Sequence, residues 1–168
     1  MMWYVMQVYT GQEQKVCEQC RSRIMEDGED VFVFLAERMT KIQGEGKRIT
    51  SRLFSGYVFV ETGKIEDFFM RLKDMGAMAK VLCTGGEMTP IYPEEEERLR
   101  LLGGEDHIVR YSEGYLEGEE LTVTSGALKG YRGAVKKVLR HQRLVVLEMP
   151  LMGRGVEVAL GLGVVRRE

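Results

Sequence analysis

The spacing of hydrophobic and polar residues predicts a mixed helix and strand segment over the first hundred residues. Residues 3–9 are rich in β-forming side chains and predict a strand. Apolar residues recur at helical spacing over 16–24 and again over 65–75, where Gly76 ends the pattern. Further elements are predicted as strands at 31–34 (continuing toward 39), 53–61 and 79–82, and a helix at 94–102. This β-α-β-β-α-β-α order is typical of a small antiparallel sheet with helices packed on one face.

The strand at residues 53–61 is the most informative segment. Its residues are β-branched and aromatic, and Gly56 allows a kink at its entry. Alternation places its aromatic residues on one face and its valines on the other: Tyr57 with Phe59, and Val58 with Val60. Phe54 precedes the strand proper, before the Gly56 kink, where a loop can hold it exposed. The segment is therefore either a core strand or a strand whose aromatic side chains are partly exposed for docking. Phe59 is compatible with both alternatives.

Two loops between the predicted elements contain recognisable sequence patterns. Thr10 lies before the first helix and Glu13 follows three residues later, which is the spacing of a capping box. Residues 40–52 are polar, basic and interrupted by glycines, which predicts a hairpin tip or a mobile loop.

A different pattern begins near residue 118. Residues 103–118 are polar with several glycines and lack periodicity, as in a linker. Five short strands follow in about fifty residues, at 121–123, 133–135, 144–147, 156–158 and 164–165, separated by glycine-bearing turns. We therefore predict an α+β domain at 1–104, a linker at 105–117 and an all-β, SH3-like barrel at 118–168.

Charge separates the same two parts. Residues 118–168 contain 9 Lys and Arg against 5 Asp and Glu, whereas residues 1–117 contain 15 against 21. This asymmetry favours two modules with different partners, although a solvated surface is the alternative. No apolar run is long enough to span a bilayer and no signal peptide is evident, so we expect a cytoplasmic protein without a membrane partner.

The residues that usually carry chemistry are few and scattered. Cys17 and Cys20 have redox or zinc spacing, but both lie on the apolar stripe of the first helix, and no second Cys or His pair accompanies them. The two histidines have no neighbouring nucleophile, and the glycines form no phosphate-binding loop. We therefore expect no catalytic residues, no metal site and no cofactor, and buried structural thiols at Cys17 and Cys20. A thiol-redox protein is the enzymatic alternative.

Residues in both parts match a known family. The run Leu121-x-Val123-x-x-Gly126-x-Leu128-x-Gly130-x-x-Gly133-x-Val135-x-x-Val138 resembles the KOW motif of ribosomal proteins and transcription elongation factors. The whole chain resembles the NusG family through four segments: Trp3-Tyr4-Val5, Tyr9-Thr10-Gly11-x-Glu13-x-Lys15-Val16, Leu53-Phe54-Ser55-Gly56-Tyr57-Val58-Phe59-Val60 and Leu151-Met152-Gly153-Arg154-x-x-Glu157-Val158.

The resemblance implies a transcription elongation and antitermination factor that rides on RNA polymerase. NusG-like proteins bind the clamp helices of the largest subunit and face the gate loop of the other large subunit, which suppresses pausing and termination. We expect the chain to act as a monomer. By the same resemblance, the polymerase-binding residues are Tyr9, Thr10, Gly11, Glu13, Phe54, Gly56 and Tyr57. Large aromatic side chains suit such an interface because they bury much apolar area at small entropic cost.

Two departures from the family pattern point to a specialised paralogue. Met152 stands in a barrel loop where housekeeping members usually have an aromatic residue, and Ser55 stands where proline is usual. The chain in this respect resembles LoaP-type antiterminators, which implies recognition of an RNA hairpin in the nascent transcript. Candidate RNA contacts are Lys41, Lys47, Arg48, Arg52, Lys129, Arg132, Lys136, Lys137, Arg140 and Arg143. Candidate partner contacts in the barrel are Leu151, Met152 and Arg154.

Two other functions remain open from the sequence. A general NusG would couple transcription to the termination factor Rho or to the ribosome through its barrel. A ribosome-associated KOW protein would bind RNA without polymerase, although the first module argues against this. The basic residues have the alternative of being solvated surface charges.

Overall fold

The computed structural model contains the three predicted helices, but the strand predicted at 31–34 and continuing toward 39 is two strands, at 30–32 and 35–42, that belong to different sheets. The strand predicted at 53–61 begins only at Tyr57. The structure describes residues 1–131 and 134–167, and of Ala134 only the backbone. The elements of the first part are β1 (Met2–Val8), α1 (Glu13–Arg23), β2 (Asp30–Phe32), β3 (Leu35–Ile42), β4 (Glu45–Arg52), β5 (Tyr57–Thr62), α2 (Ile65–Met75), β6 (Ala79–Val81), β7 (Cys83–Thr84), β8 (Glu87–Met88) and α3 (Pro93–Gly103). Those of the second part are β9 (Ile108–Val109), β10 (Ser112–Glu117), β11 (Glu120–Ser125), β12 (Ala134–Leu139), β13 (Leu144–Leu151) and β14 (Arg154–Arg167), with a 3-10 turn at Arg140–Gln142.

Two groups of residues form separate compact units. The first unit comprises residues 1–34 and 54–96, and the second comprises 35–53 and 97–168. Residues 40–52 form most of a regular hairpin, β3–β4, so of the two predicted alternatives the hairpin is confirmed. This hairpin groups with the later strands rather than with its sequence neighbours. The segment that we expected to be a linker, 105–117, contains β9 and β10, and the predicted domain limits stay a prediction.

The helices are short, and one of them, α2, ends at a local stop signal. Helices α1, α2 and α3 are each 11 residues long. Helix α2 ends at the predicted Gly76, whose φ of 76° is the left-handed conformation that glycine adopts at little cost. Within the described residues no helix has both the length and the apolar character needed to cross a bilayer.

A four-stranded sheet in the order β2-β5-β1-β6 forms the centre of the first unit. Strand β1 pairs antiparallel with β5 and with β6. One face of the sheet is covered by α1 and α2, and the alternation of β5 sends its valines into this layer as predicted. The buried residues of this layer are Tyr4, Met6, Val8, Val16, Cys17, Cys20, Val31, Val58, Val60, Ile65, Phe68, Leu72 and Val81.

The opposite face of the same sheet carries an aromatic cluster. Phe59 is fully buried, and its ring centroid lies 5.1 Å from that of Phe34 and 5.7 Å from that of Phe32. Trp3 packs edge-on against Phe32 at 4.9 Å and donates its indole N–H to Glu61 at 2.9 Å. Phe59, undecided from the sequence, is therefore a core residue.

A carboxylate and a guanidinium tie the two helices of the first unit to its sheet. Arg71 on α2 contacts both carboxylate oxygens of Glu29, at 3.0 and 2.9 Å. The Thr62 hydroxyl donates to the same carboxylate at 2.6 Å, and Arg71 also reaches the carbonyl of Ile24 just after α1. Burial by itself raises the pKa of Glu29, but the hydrogen bonds from Arg71 and Thr62 outweigh it and hold the pKa below its usual range.

The second unit contains a five-stranded sheet in the order β11-β10-β14-β13-β12. Strands β13 and β14 are antiparallel, whereas β10 runs parallel to β14. The strands predicted at 156–158 and 164–165 both lie within β14, which is 14 residues long, so the expectation of two separate strands is wrong. The periodicity of short apolar runs cannot distinguish two strands from one long strand interrupted by glycines.

Glycines allow close approach of strands in this unit. Gly126 has a φ of 93°, and a β-carbon there would lie 2.3 Å from the carbonyl oxygen of Tyr111. A β-carbon at Gly161 of β14 would lie 2.3 Å from the carbonyl oxygen of Glu37, so the β3–β4 hairpin packs directly on β14. These contacts explain why the motif glycine at 126 is required.

We predict that Glu29→Gln lowers the free energy of unfolding by about 1–3 kcal/mol at pH 7, because the Arg71 hydrogen bonds lose their charged acceptor. The pKa of Glu29 is lower in the folded state than the unfolded value of about 4.3. Its contribution is therefore fully present above about pH 5 and is lost as the pH falls through the folded-state pKa. The difference between variant and native chain should shrink toward pH 3.

Urea unfolding followed by Trp3 fluorescence measures this difference, since Trp3 is the sole tryptophan and lies buried in the first unit. Glu18→Gln, at an exposed position on α1, is the matched control and should have little effect. Equal losses for Glu29→Gln at pH 7 and pH 3 would contradict the assignment.

Candidate functional site

Two connections of the first unit meet at one end of its sheet. The loop after β1 runs from Tyr9 to Gln12, and the loop before β5 runs from Leu53 to Gly56. The amide of Val8 donates to the carbonyl of Gly56 at 2.8 Å, which joins the two loops through the backbone. Gly56 has a φ of 80°, and a β-carbon there would lie 3.1 Å from the carbonyl oxygen of Val8. Only glycine fits this contact without strain.

The Glu13 side chain lies beneath both loops. It is 3% exposed, and its two carboxylate oxygens accept hydrogen bonds from the amides of Gly11 (2.7 Å) and Gly56 (2.8 Å). The capping box predicted from Thr10 and Glu13 is wrong: the N-cap residue is Gln12, and no side chain caps α1. Glu13 is the first residue of the helix, so its carboxylate binds the amides of two loop residues, Gly11 and Gly56, and not the amide of the N-cap residue.

Phe54 is buried, which corrects the expectation that its loop holds it exposed. It is 3% exposed, and its ring centroid lies 5.6 Å from that of Phe59 and 6.3 Å from that of Phe34. The loop turns this side chain into the aromatic cluster because burying a phenylalanine is worth roughly 1.5–3 kcal/mol. Phe54 therefore supports the surface from below.

The exposed part of the predicted polymerase site lies on the first loop. Tyr9 is 67% exposed, and Thr10 and Gly11 are exposed beside it. Tyr57 is half-buried, with its ring 6.3 Å from that of Phe54. Gly56 is buried. Of the seven residues predicted for this site, these three loop residues and part of Tyr57 are accessible, while the rest lie underneath.

A groove beside Tyr9 adds residues that the sequence did not single out. Two open depressions, each of about 490 Å³, flank Tyr9 and share Ala77 and Met78, which follow the end of α2. Met78 is 68% exposed. Lys15 and Lys80 each line one of the two depressions. In the sequence, Met78 is marked only by its position two residues after the helix-ending Gly76. Spacing alone does not distinguish such an exposed methionine from a buried one. We call the surface formed by Tyr9, Ala77 and Met78 the Tyr9–Met78 groove.

The basic residues of the β3–β4 hairpin lie on opposite faces. Antiparallel pairing places Lys41 opposite Gly46, Met39 opposite Arg48 and Leu35 opposite Arg52. Lys41, Arg48 and Arg52 therefore share one face, and Lys47 projects from the other.

The face of the hairpin that carries Lys41 also receives a later cation. A β-carbon at Gly46 would lie 3.8 Å from Nη1 of Arg143, whose backbone turns with a φ of 55°. The Arg48 guanidinium lies 5.6 Å from the centre of the Tyr111 ring and 3.5 Å from the Glu37 carboxylate. Arg143 thus lies on the same surface of the second unit as hairpin cations that are about a hundred residues earlier in the chain.

The remaining predicted RNA contacts are exposed or outside the described residues. Lys129, Lys137 and Arg140 are exposed. Lys136 is exposed and pairs with Glu148 at 3.1 Å, which raises the pKa of the lysine. Arg132 lies outside the residues that the structure describes.

The predicted partner loop of the second unit is a tight hairpin turn between β13 and β14. Met152 and Gly153 form the turn with φ values of 54° and 75°, as in the primed turns that suit antiparallel strands. Arg154 is exposed and pairs across the turn with Leu151. Leu151 is 3% exposed, so its side chain is not accessible in this structure, and of the three predicted partner contacts it is the buried one. Strand alternation directs it into the sheet core.

Both cysteines of α1 have the properties of structural thiols. Cys17 and Cys20 are buried, and the Cys17 thiol donates to the carbonyl of Val31 at 3.3 Å. Burial raises the pKa of Cys17, and it raises the pKa of Cys20 to about 11. A thiol with such a pKa forms little thiolate at neutral pH, so these residues are poor nucleophiles.

Comparison with known proteins defines the class of the chain. Residues 1–100 match the family model described as "Transcription termination factor nusG". The chain is 28% identical to the transcription termination/antitermination protein NusG of Haemophilus influenzae, covering 98% of this chain and 93% of that protein. It is 27% identical to the NusG of Deinococcus radiodurans, covering 94% of each. The chain therefore belongs to the NusG family.

A solved structure supports the same fold. The chain is similar to Thermotoga maritima NusG, a structure titled "Domain interaction in Thermotoga maritima NusG", with a TM-score of 0.56. The identity is 20%, and the match covers 95% of this chain and 93% of that one. This likeness is one of fold alone.

We predict different stability effects for the two aromatic residues of the site. Phe54→Ala should lower the free energy of unfolding by about 3–5 kcal/mol, because it leaves a cavity in the aromatic cluster. Tyr9→Ala should lower it by less than about 0.5 kcal/mol, because its ring is mostly in solvent. Urea titration followed by Trp3 fluorescence compares the two variants, and equal losses would contradict the burial of Phe54.

Proposed function

We propose that the chain is a transcription elongation and antitermination factor that binds RNA polymerase through its first unit. The exposed Tyr9 beside an apolar groove is the observation that carries the docking site. Membership of the NusG family and the names of its relatives support the same class of function. Action as a cytoplasmic monomer without catalytic activity is part of the proposal.

The Tyr9–Met78 groove suits a helical partner. Apolar side chains of a helix pack into such grooves at helical spacing, and a tyrosine and a methionine supply adaptable apolar contact. We assign this groove to the clamp helices of the largest polymerase subunit. Thr10, Gly11 and the accessible edge of Tyr57 extend the surface and would face the remainder of the polymerase cleft, including the gate loop. Phe54, Gly56 and Glu13 are buried and would support this surface without contacting polymerase.

Tyr9→Ala and Met78→Ala should each weaken binding to core RNA polymerase by about tenfold or more, since truncating an interface anchor typically costs more than about 1 kcal/mol. Met70→Ala is the matched control, because Met70 is 54% exposed on α2 but does not line the groove. Affinity is measured by titrating fluorescently labelled chain with core polymerase. Unchanged binding of both groove variants would remove the docking proposal.

We further propose that the second unit is an SH3-like KOW barrel and that the chain is a specialised, LoaP-like paralogue that binds a nascent RNA hairpin. The support is the hairpin face that carries Lys41, Arg48 and Arg52 and that Arg143 reaches beside Gly46. Phosphates would neutralise these cations, and one aromatic ring, Tyr111, lies beneath Arg48. A general NusG that contacts Rho or the ribosome is the alternative, and the Met152–Gly153 turn lacks the usual aromatic residue for it.

Lys41 and Lys47 form a matched pair for testing RNA binding. Both are exposed on the same hairpin, but they project from opposite faces. Lys41→Glu should weaken binding to the leader RNA of the chain's own operon by about tenfold and reduce the salt dependence, whereas Lys47→Glu should have a smaller effect. Filter binding at several salt concentrations measures both quantities. Equal effects of the two variants would contradict the shared face, and no binding at low salt would remove the RNA proposal.

A further inference from the structure

A single buried carboxylate joins the two loops of the candidate docking site. The Gly11 amide lies in the loop after β1, and the Gly56 amide lies in the loop before β5. Each donates to a different oxygen of Glu13. The Gly56 contact spans 43 residues of sequence and is buried. Both glycines have positive φ values, 97° and 80°, so both loops adopt backbone conformations that other residues rarely take.

The chemistry of this contact requires a carboxylate of this length. Two backbone N–H groups need two acceptor oxygens, and an ionised glutamate supplies both. Glutamine keeps the shape but replaces one oxygen with an NH₂ donor, which would oppose a backbone donor. Aspartate keeps the charge but is one methylene shorter.

The position of Glu13 excludes direct contact with a partner and favours an indirect role. The residue is 3% exposed, while the first of the loops that it joins carries Tyr9 and Thr10 and the second leads into Tyr57, the first residue of β5. We propose that Glu13 is a positioning residue for polymerase binding: it holds the two loops in the docking conformation and does not touch polymerase. This role rests on the proposed function of the groove.

The physical consequence concerns order in the free protein. Without the carboxylate, two glycine-containing loops regain conformational freedom, and the complex has to restrict that freedom when it forms. Removal of the Glu13 carboxylate should therefore lower polymerase affinity as well as the free energy of unfolding. In the native chain the Gly11 and Gly56 amides should exchange slowly with solvent, because both are hydrogen bonded.

The test compares Glu13→Gln with Glu29→Gln. Both remove a carboxylate that accepts buried or partly buried hydrogen bonds in the first unit. Glu29 contacts Thr62, which lies at the opposite end of β5 from Tyr57. Glu13→Gln should weaken binding to core polymerase by about tenfold, and Glu29→Gln should leave affinity unchanged at a temperature where Trp3 fluorescence shows both variants folded. Equal affinities of the two variants would overturn the positioning role.

A double-mutant cycle with Tyr9→Ala distinguishes positioning from a general structural effect. If Glu13 acts through the loop that carries Tyr9, Glu13→Gln should cost much less affinity in the Tyr9→Ala background than in the native chain. Additive losses would overturn the role. Unchanged affinity of both Tyr9→Ala and Met78→Ala would overturn the docking surface and this role together, whereas unchanged affinity of Glu13→Gln alone would overturn only the role.

Hydrogen exchange keeps the proposal testable if Glu13→Gln is too unstable. Glu13→Asp retains the charge and should speed exchange at the Gly11 and Gly56 amides while the strands of the first unit remain protected. The same variant should weaken polymerase binding. Unchanged exchange at both amides, or fast exchange at both with full polymerase affinity, would overturn the role.

Discussion

The first unit depends on strand β5 burying both of its faces. Val58 and Val60 meet the helices α1 and α2 on one side, and Phe59 enters the aromatic cluster on the other. A strand with two buried faces fixes its register against β1, because a slip of one residue would exchange the valine and aromatic faces. The ends of β1 and β5 are thereby held together, and the loops that continue from them must meet. The surface proposed for docking is a consequence of this packing.

The site divides into supporting and exposed residues. Phe54 fills the space under the loops, Gly56 allows their close approach, and Glu13 joins them by hydrogen bonds. Only then do Tyr9 and its neighbours stand in solvent with the groove beside them. A family resemblance marks all of these positions alike, since it reports that a residue type recurs and not whether it touches a partner. Burial separates the two roles.

Local spacing was sufficient to predict the sheet, its helices and the Gly76 stop, because periodicity and backbone preference act over a few residues. It failed where distant residues decide the outcome. Phe54 turns inward because of Phe34 and Phe59, and the Glu13 carboxylate is directed by a glycine 43 residues away. The grouping of the β3–β4 hairpin with β14 depends on Gly161, more than a hundred residues later in the chain. The exposure of Met78 likewise depends on tertiary packing and not on local spacing.

The basic residues are evident in the sequence, but their arrangement is not. Strand pairing separates Lys47 from the other hairpin cations and brings Arg143 beside Gly46. Composition reports a net charge, whereas recognition of a phosphate backbone requires charges on one face. The structure places Lys41, Arg48 and Arg52 on one face of the hairpin and Lys47 on the other.

Hydrogen exchange of the chain, alone and bound to core RNA polymerase, tests the central claim most directly. If the first unit binds through the Tyr9–Met78 groove, amides at residues 9–12, 54–57 and 77–80 should exchange more slowly in the complex, while those of β11 and β12 stay unchanged. Protection confined to the second unit, with none at residues 9–12 and 77–80, would contradict the account.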